Sequence, residues 1–160
     1  MMLNNTAVQG SGKPCVVFDV DGTLAHFDAK ELGHLVHGEV KDWNGFHIAM
    51  ADAAPIEPVA RLLRQLKAAG EKIVICSGRP AGWVDHTTAW LRKNDLPFDG
   101  VYLRPEDLDA ESDPDIKRLL LAEMRADKWD PWIIIDDRSS VVEAWRDAGL
   151  VCLQCAPGNF

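Results

Sequence analysis

Five short, largely apolar runs punctuate the chain at residues 16–18, 72–76, 101–103, 132–135 and 150–153. Each is bounded by turn or polar residues, the pattern of buried strands. Between them the apolar period lengthens to that of helices. Val59, Leu62, Leu63 and Leu66 repeat at helical spacing within 55–69, with Pro58 suited to a first turn and Gly70 to a stop. Trp83, Trp90 and Leu91 mark a helix over 81–94, Ile116, Leu119, Leu120 and Met124 another, and Val141, Val142 and Trp145 a last one ending at Gly149. Strands alternating with helices predict an α/β fold: a doubly wound, mostly parallel sheet of about five strands with helices on both faces. The stretch 25–54, directly after the first strand, lacks a strong period and reads as a small flap over the strand end, with a short helix at 43–50. Residues 1–14 read as a flexible leader, and 15–160 as one domain.

Composition narrows the function. The 160 residues are 47% hydrophobic and 26% charged, ordinary for a globular domain. A net charge of −8 argues against a broad duplex-binding face, which needs many Lys and Arg contacts to phosphates. No apolar run is long enough to span a membrane, and a soluble, cytoplasmic protein is expected. Gly10-Ser11-Gly12-Lys13 imitates the end of a nucleotide-binding loop, but Ala7 stands where its first glycine belongs and Pro14 replaces its hydroxyl. No kinase domain is expected. Cys15 and Cys76 read as buried thiols; Cys152 and Cys155 form a lone C-x-x-C without further zinc ligands nearby and read as structural. His26, His34, His37 and His47 on the flap match no zinc spacing. Trp43 and His47, one helical turn apart, are modest candidates for stacking on a base or sugar, and packing is the commoner role of such a pair.

Chemistry concentrates where the apolar runs end. The first leads into Asp19-Val20-Asp21-Gly22-Thr23, and strand alternation would put Asp19 and Asp21 on one face, about 7 Å apart along the chain. Two such carboxylates want a divalent cation or a shared proton. The second run ends in Ser77-Gly78-Arg79 and the third at Arg104. Both arginines thus stand at the carboxyl edge of the sheet, where ligands of open α/β folds bind and where a guanidinium suits a phosphate. Lys117 reads as opening its helix, a position that opposes the helix dipole and asks for an anion nearby; Arg118 is its rival. The fourth run closes on Asp136-Asp137-Arg138.

In this order the motifs resemble the haloacid dehalogenase (HAD) superfamily, whose motif I is D-x-D-G-T. The resemblance implies a HAD-like, Rossmannoid three-layer sandwich with strand order 3-2-1-4-5. It implies Asp19 as nucleophile and Asp21 as general acid and base, and Thr23, Ser77, Gly78 and Lys117 as phosphate-binding. Mg²⁺ would be held by Asp19, Asp21 and Asp137, with Asp136 a second ligand or an outer acceptor. From residue 55 onward the segments P-I-E-P-V, I-V-I-C-S-G-R, L-R-P-E, D-I-K, I-I-I-D-D-R-S-S-V-V-E-A-W-R and Q-C-A-P-G-N-F resemble the 3′-phosphatase domain of phage polynucleotide kinase/phosphatase enzymes. That likeness implies a Mg²⁺-dependent phosphomonoesterase of nucleic-acid end repair, working through an aspartyl phosphate on a nucleic-acid 3′ end or a nucleoside 3′-phosphate. Arg79, Arg104 and Arg138 would be substrate contacts, and a separate kinase or ligase a partner. The loop 107–115 lacks an arginine that the pattern carries, which keeps a 5′-nucleotidase or small-molecule phosphatase as the alternative. A receiver-like signalling domain is more distant, because the third run ends at Arg104 without the acid such domains phosphorylate.

Overall fold

The computed structural model describes residues 12–160 and assembles the apolar runs into one five-stranded sheet. Its strands are β1 (Lys13–Phe18), β2 (Lys72–Pro80), β3 (Gly100–Arg104), β4 (Trp129–Asp136) and β5 (Cys152–Gln154). Every pairing is parallel and the order is β3-β2-β1-β4-β5, as the resemblance implies. Parallel neighbours need crossovers, here built from α1 (Ala29–Val36), α2 (Trp43–Met50), α3 (Glu57–Ala68), α4 (Val84–Lys93), α5 (Asp113–Ala126) and α6 (Ser139–Asp147). β1 starts three residues before the expected run, taking in Lys13, Pro14 and Cys15. Residues 1–11 of the expected leader, with most of the false nucleotide loop, lie outside the described residues.

Strand alternation divides the core into two layers of side chains. Val16, Phe18, Ile73 and Ile75 face one way and pack with Leu63 of α3, Leu91 of α4 and Phe46 and Met50 of α2. Cys15, Val17, Val74, Cys76 and Ile134 face the other way, against Ile116, Leu120 and Met124 of α5 and Val142 and Trp145 of α6. Each such side chain contributes roughly 1.5–3 kcal/mol when fully buried, so both sheet faces hold the helices firmly. The parity of β1 also aims Asp19 toward the α5 side.

Two local features differ from the expectation. Helix α5 begins at Asp113, with Ser112 as its N-cap accepting from the Asp115 N–H at 3.3 Å. Lys117 therefore sits a full turn inside the helix rather than opening it, and the dipole argument for it gives way to direct ion pairing. Helix α1 is unforeseen, although Asp28 caps it by accepting from the Lys30 and Glu31 N–H groups at 2.9 and 3.3 Å. Together α1 and α2 form the flap. Its ends are pinned where the His26 N–H donates to the Ala54 carbonyl at 2.9 Å and the Ile56 N–H to that of Leu24 at 2.7 Å.

Candidate active site

The site begins where β1 runs out. The Val20 carbonyl accepts from the N–H groups of Thr23, Leu24 and Ala25 at 3.2, 2.8 and 2.9 Å, wrapping the chain into a tight loop just beyond Asp19. Gly22 makes this possible with φ at +84°. A Cβ there would also overlap the Asp137 carboxylate, so the glycine lets the end of β4 approach the loop. Because β1 and β4 are neighbours, with Phe18 opposite Ile135 and the Asp19 N–H donating to the Ile135 carbonyl at 3.1 Å, Asp19 meets Asp136 and Asp137. One carboxylate oxygen from each of the three lies within 4.8 Å of the others.

Lys117 reaches into this cluster from α5. Its Nζ donates to Asp19 Oδ1 at 2.9 Å, to the Cys76 carbonyl at 2.7 Å and to Asp136 Oδ2 at 3.2 Å, which uses all three of its hydrogens. Burial alone would favour the neutral amine, but Asp136 and Asp19 hold its pKa well above the ordinary value. The acids move the other way. Burial, then the Asp136 charge, raises Asp19 well above the usual carboxylate range despite Lys117. Burial and Asp136 likewise push Asp137 up to about 6. Three buried carboxylates facing one ammonium are short of positive charge. Their hard oxygen donors fit a divalent cation such as Mg²⁺, with Asp19 and Asp137 as the ligands. Asp136 is more fully engaged: Oδ1 accepts from the Asp137 N–H at 2.8 Å, and Oδ2 from Lys117 and from Trp145 Nε1 at 3.1 Å. It fits the outer acceptor better than the direct ligand. Trp145, expected only to pack, thus also supplies a hydrogen bond to a buried charge.

Asp21 departs from the expected same-face pair. Its carboxylate is not among the clustered metal-ligating oxygens; it turns to Arg79, whose Nε and Nη2 donate to it at 2.8 and 2.6 Å. Asp21 as a side-chain metal ligand is thereby corrected. Arg79 is held strongly cationic by this pair against the opposing effect of burial. Its guanidinium also lies over the Phe46 ring, 5.4 Å from the centroid. Ser77, buried at the end of the β2 core, accepts from the Arg79 N–H at 3.2 Å and lines the cavity beside Asp19 with Gly78.

Two further expectations change. Thr23 is fully buried and absent from the cavity wall; its hydroxyl lies 3.1 Å from Asp137 Oδ1 and 3.5 Å from Asp19 Oδ2, so it positions carboxylates instead of binding phosphate. Arg104, only 1% exposed, donates to the carbonyls of Gly78, Leu108 and Glu111 and to Asp113. It staples the loop before α5 to the motif strand and does not face the cavity. Arg138 does line the cavity, tied to Asp113 and to the Phe160 carbonyl at 2.7 Å. Asp113, which no motif flagged, holds both arginines. Arg118, the rival of Lys117, is exposed and pairs with Asp115 at 2.8 Å.

The cavity measures about 70 Å³, and Phe27, Trp43, Phe46 and Phe160 form part of its wall. The flap is fastened across it to the loop before α5: Trp43 Nε1 donates to Asp109 Oδ1 at 2.7 Å and Lys41 donates to the Asp109 carbonyl. All four cysteines are free, and only Cys155 is exposed.

The family model for the polynucleotide kinase PNKP phosphatase domain matches residues 13–160. Among solved structures, a chain of the Pnkp1/Rnl/Hen1 RNA repair complex is 29% identical with a TM-score of 0.76, over 94% of this chain and 44% of that one. A chain of another Pnkp1/Rnl/Hen1 complex structure is 27% identical with a TM-score of 0.77, over 99% and 53%. This chain thus spans about half the length of both. The class C acid phosphatase from Bacillus anthracis shares the fold, at 18% identity and a TM-score of 0.65 over 96% of this chain and 70% of that one. No helix among the described residues is long and apolar enough to cross a membrane.

Proposed function

The chain belongs to the polynucleotide kinase PNKP phosphatase-domain family of the HAD superfamily, and on that premise we propose that it is a Mg²⁺-dependent phosphomonoesterase that removes 3′-phosphates from nucleic-acid ends. The observation that carries this reading is the buried constellation of Asp19, Lys117 and Asp137 at the carboxyl edge of two adjacent strands. A 3′-phosphate entering the cavity meets Asp19, Ser77 and Lys117 on its wall, which suits an enzyme that reads the end group.

In this reading Asp19 attacks phosphorus and becomes an aspartyl phosphate while the P–O bond to the sugar breaks. Asp21, in its acid form, gives its proton to the departing 3′ oxygen and then takes one from the water that attacks the same phosphorus, releasing phosphate and restoring Asp19. The Arg79 ion pair must open for Asp21 to do so, and the incoming phosphate competes for that guanidinium. Lys117 keeps Asp19 oriented and balances charge on the phosphoryl oxygens, with Ser77 and the Gly78 backbone beside them. Mg²⁺ held by Asp19 and Asp137 would offset the repulsion between nucleophile and phosphate. The likeness to chains of Pnkp1/Rnl/Hen1 complexes supports kinase and ligase partners for this domain too.

The test is a panel of a 3′-phosphorylated oligonucleotide, nucleoside 3′- and 5′-monophosphates and p-nitrophenyl phosphate, each with Mg²⁺ or with EDTA. Release of phosphate from the 3′-esters, abolished by EDTA, is the expected result. Much faster turnover of 5′-nucleotides would overturn the 3′ assignment.

A further inference from the structure

Two other cavities share walls with the catalytic one, and they differ in charge. The first, about 510 Å³, shares Val36, His37, Asp113 and Arg138 with it and adds Lys41, but also Glu39, Asp109 and Glu111, so acids outnumber Lys and Arg. The second, about 190 Å³, lies on the far side of Arg79 between α2 and α4, and no carboxylate lines it. In a chain of net charge −8 an acid-free hollow bordered by His47, Arg79, His86 and Lys93 is a local exception.

The hollow follows from helix periodicity. His86, Trp90 and Lys93 recur at steps of four and three along α4 and so share one face. His47 and Met50 come from α2 opposite. His47 is 4% exposed and packed parallel on the Trp83 indole, 4.3 Å between centroids with 5° between planes. Its Nδ1 lies 2.7 Å from the Trp43 carbonyl and so carries the hydrogen of that bond. Its Nε2 is then a bare lone pair, and it is the buried side-chain atom left without a partner among the described residues. Such an atom calls for an N–H or O–H donor. Lys93 is 2.9 Å from Asp52, an exposed pair that a stronger anion can exchange.

We propose that this hollow is a second-phosphate subsite: resting on the 3′-end reading above, it takes the phosphate on the 5′ side of the terminal nucleoside, bound by Lys93 and His86, while His47 Nε2 accepts a hydrogen from the nucleoside between the two phosphates. Arg79, which walls both cavities, stands between the two anions. A strand leaving by the other groove would run its phosphates along Glu39, Asp109 and Glu111. The route through the hollow, whose adjoining acid is the exposed Asp52 beside Lys93, lessens that repulsion and gives the domain a means of preferring a strand end over a one-phosphate nucleotide. The donor to His47 is either a ribose 2′-hydroxyl or a base N–H, which matched RNA and DNA ends separate.

The experiment compares nucleoside 3′,5′-bisphosphate, nucleoside 3′-monophosphate, p-nitrophenyl phosphate and 3′-phosphorylated RNA and DNA oligonucleotides. It uses the parent protein, Lys93→Gln and His86→Ala, both changes at exposed positions. The parent should favour the bisphosphate over the 3′-monophosphate by about tenfold in kcat/KM. Each variant should lose most of that preference through KM, and Lys93→Gln should reduce the salt slope of oligonucleotide KM by about one. Equal losses on one-phosphate and two-phosphate substrates, or no preference in the parent, would overturn the subsite while leaving the 3′-phosphatase reading intact. If the parent ignores every 3′-phosphate and hydrolyses 5′-nucleotides, both fall together.

Discussion

At Asp137 the folded state carries a carboxylate pushed up to about 6 by burial and by Asp136. An acid raised in this way costs stability as pH climbs from the ordinary value of 3.8 through about 6, and above that the cost is complete. Asp137→Asn should therefore raise the melting temperature of the EDTA-treated protein at pH 7.5 by a few degrees, and the gain should shrink at pH 4.5; calorimetry at the two pH values checks it. Added Mg²⁺ should raise the melting temperature of the parent and leave that of the same variant unchanged. Lys117→Met removes the sole ammonium of the cluster and leaves Asp19 and Asp136 facing each other. It should lower kcat on p-nitrophenyl phosphate by at least about 10²-fold and lower the melting temperature as well, a pairing absent from a purely catalytic residue. That Asp19, Asp137, Ser77 and Lys117 would meet at one cavity was foreseeable because each sits beside an apolar run or in a helical period whose direction is fixed. Thr23, Arg104 and the Asp21 side chain were misread because their orientation depends on loops, where no period says which way a side chain turns.

The flap is the element on which access depends. Its links across the cavity converge on Asp109, so Asp109→Ala breaks the bond from Trp43 Nε1. Amide exchange over 29–50 should quicken while the sheet strands keep their protection, measured by mass spectrometry. Acid should loosen the same element. Burial holds His47 down to about 4, so the docked flap loses stability as pH falls from the ordinary histidine value of 6.5 toward 4, the undocked form taking up the proton. Tryptophan fluorescence from Trp43 and Trp83 should change between pH 7 and 5, and His47→Phe should blunt the change. Helix α2 was readable from residues 43–50, and α1 was not. Its signals are the Asp28 cap with Glu31 in the first turn, and Leu32, Leu35 and Val36 at helical spacing; both helices have eight residues, so length does not separate them.

For the whole molecule, the alternation of buried strands with helices made a mostly parallel sheet readable, whereas the order of its strands came from the family resemblance, because alternation alone leaves several right-handed orders open. The adjacency of β1 and β4 then follows, and with it the meeting of residues more than a hundred positions apart. Ile75, fully buried between α3 and α4 at the centre of the sheet, tests how far the site depends on that frame. Ile75→Ala should cost roughly 2–5 kcal/mol, read from chemical denaturation. Activity in water should survive as long as the population stays folded, since the Ile75 side chain lies in the layer under α3 and α4, on the sheet face opposite the one that packs against α5.

Gly22 ties two structural constraints into one. Any side chain there would drive the Asp137 carboxylate of the neighbouring strand outward and strain its own backbone at once. A single methyl at this bend should uncouple cation affinity from folding: alanine would yield a protein that still melts cooperatively, yet titrates magnesium only at far higher concentration.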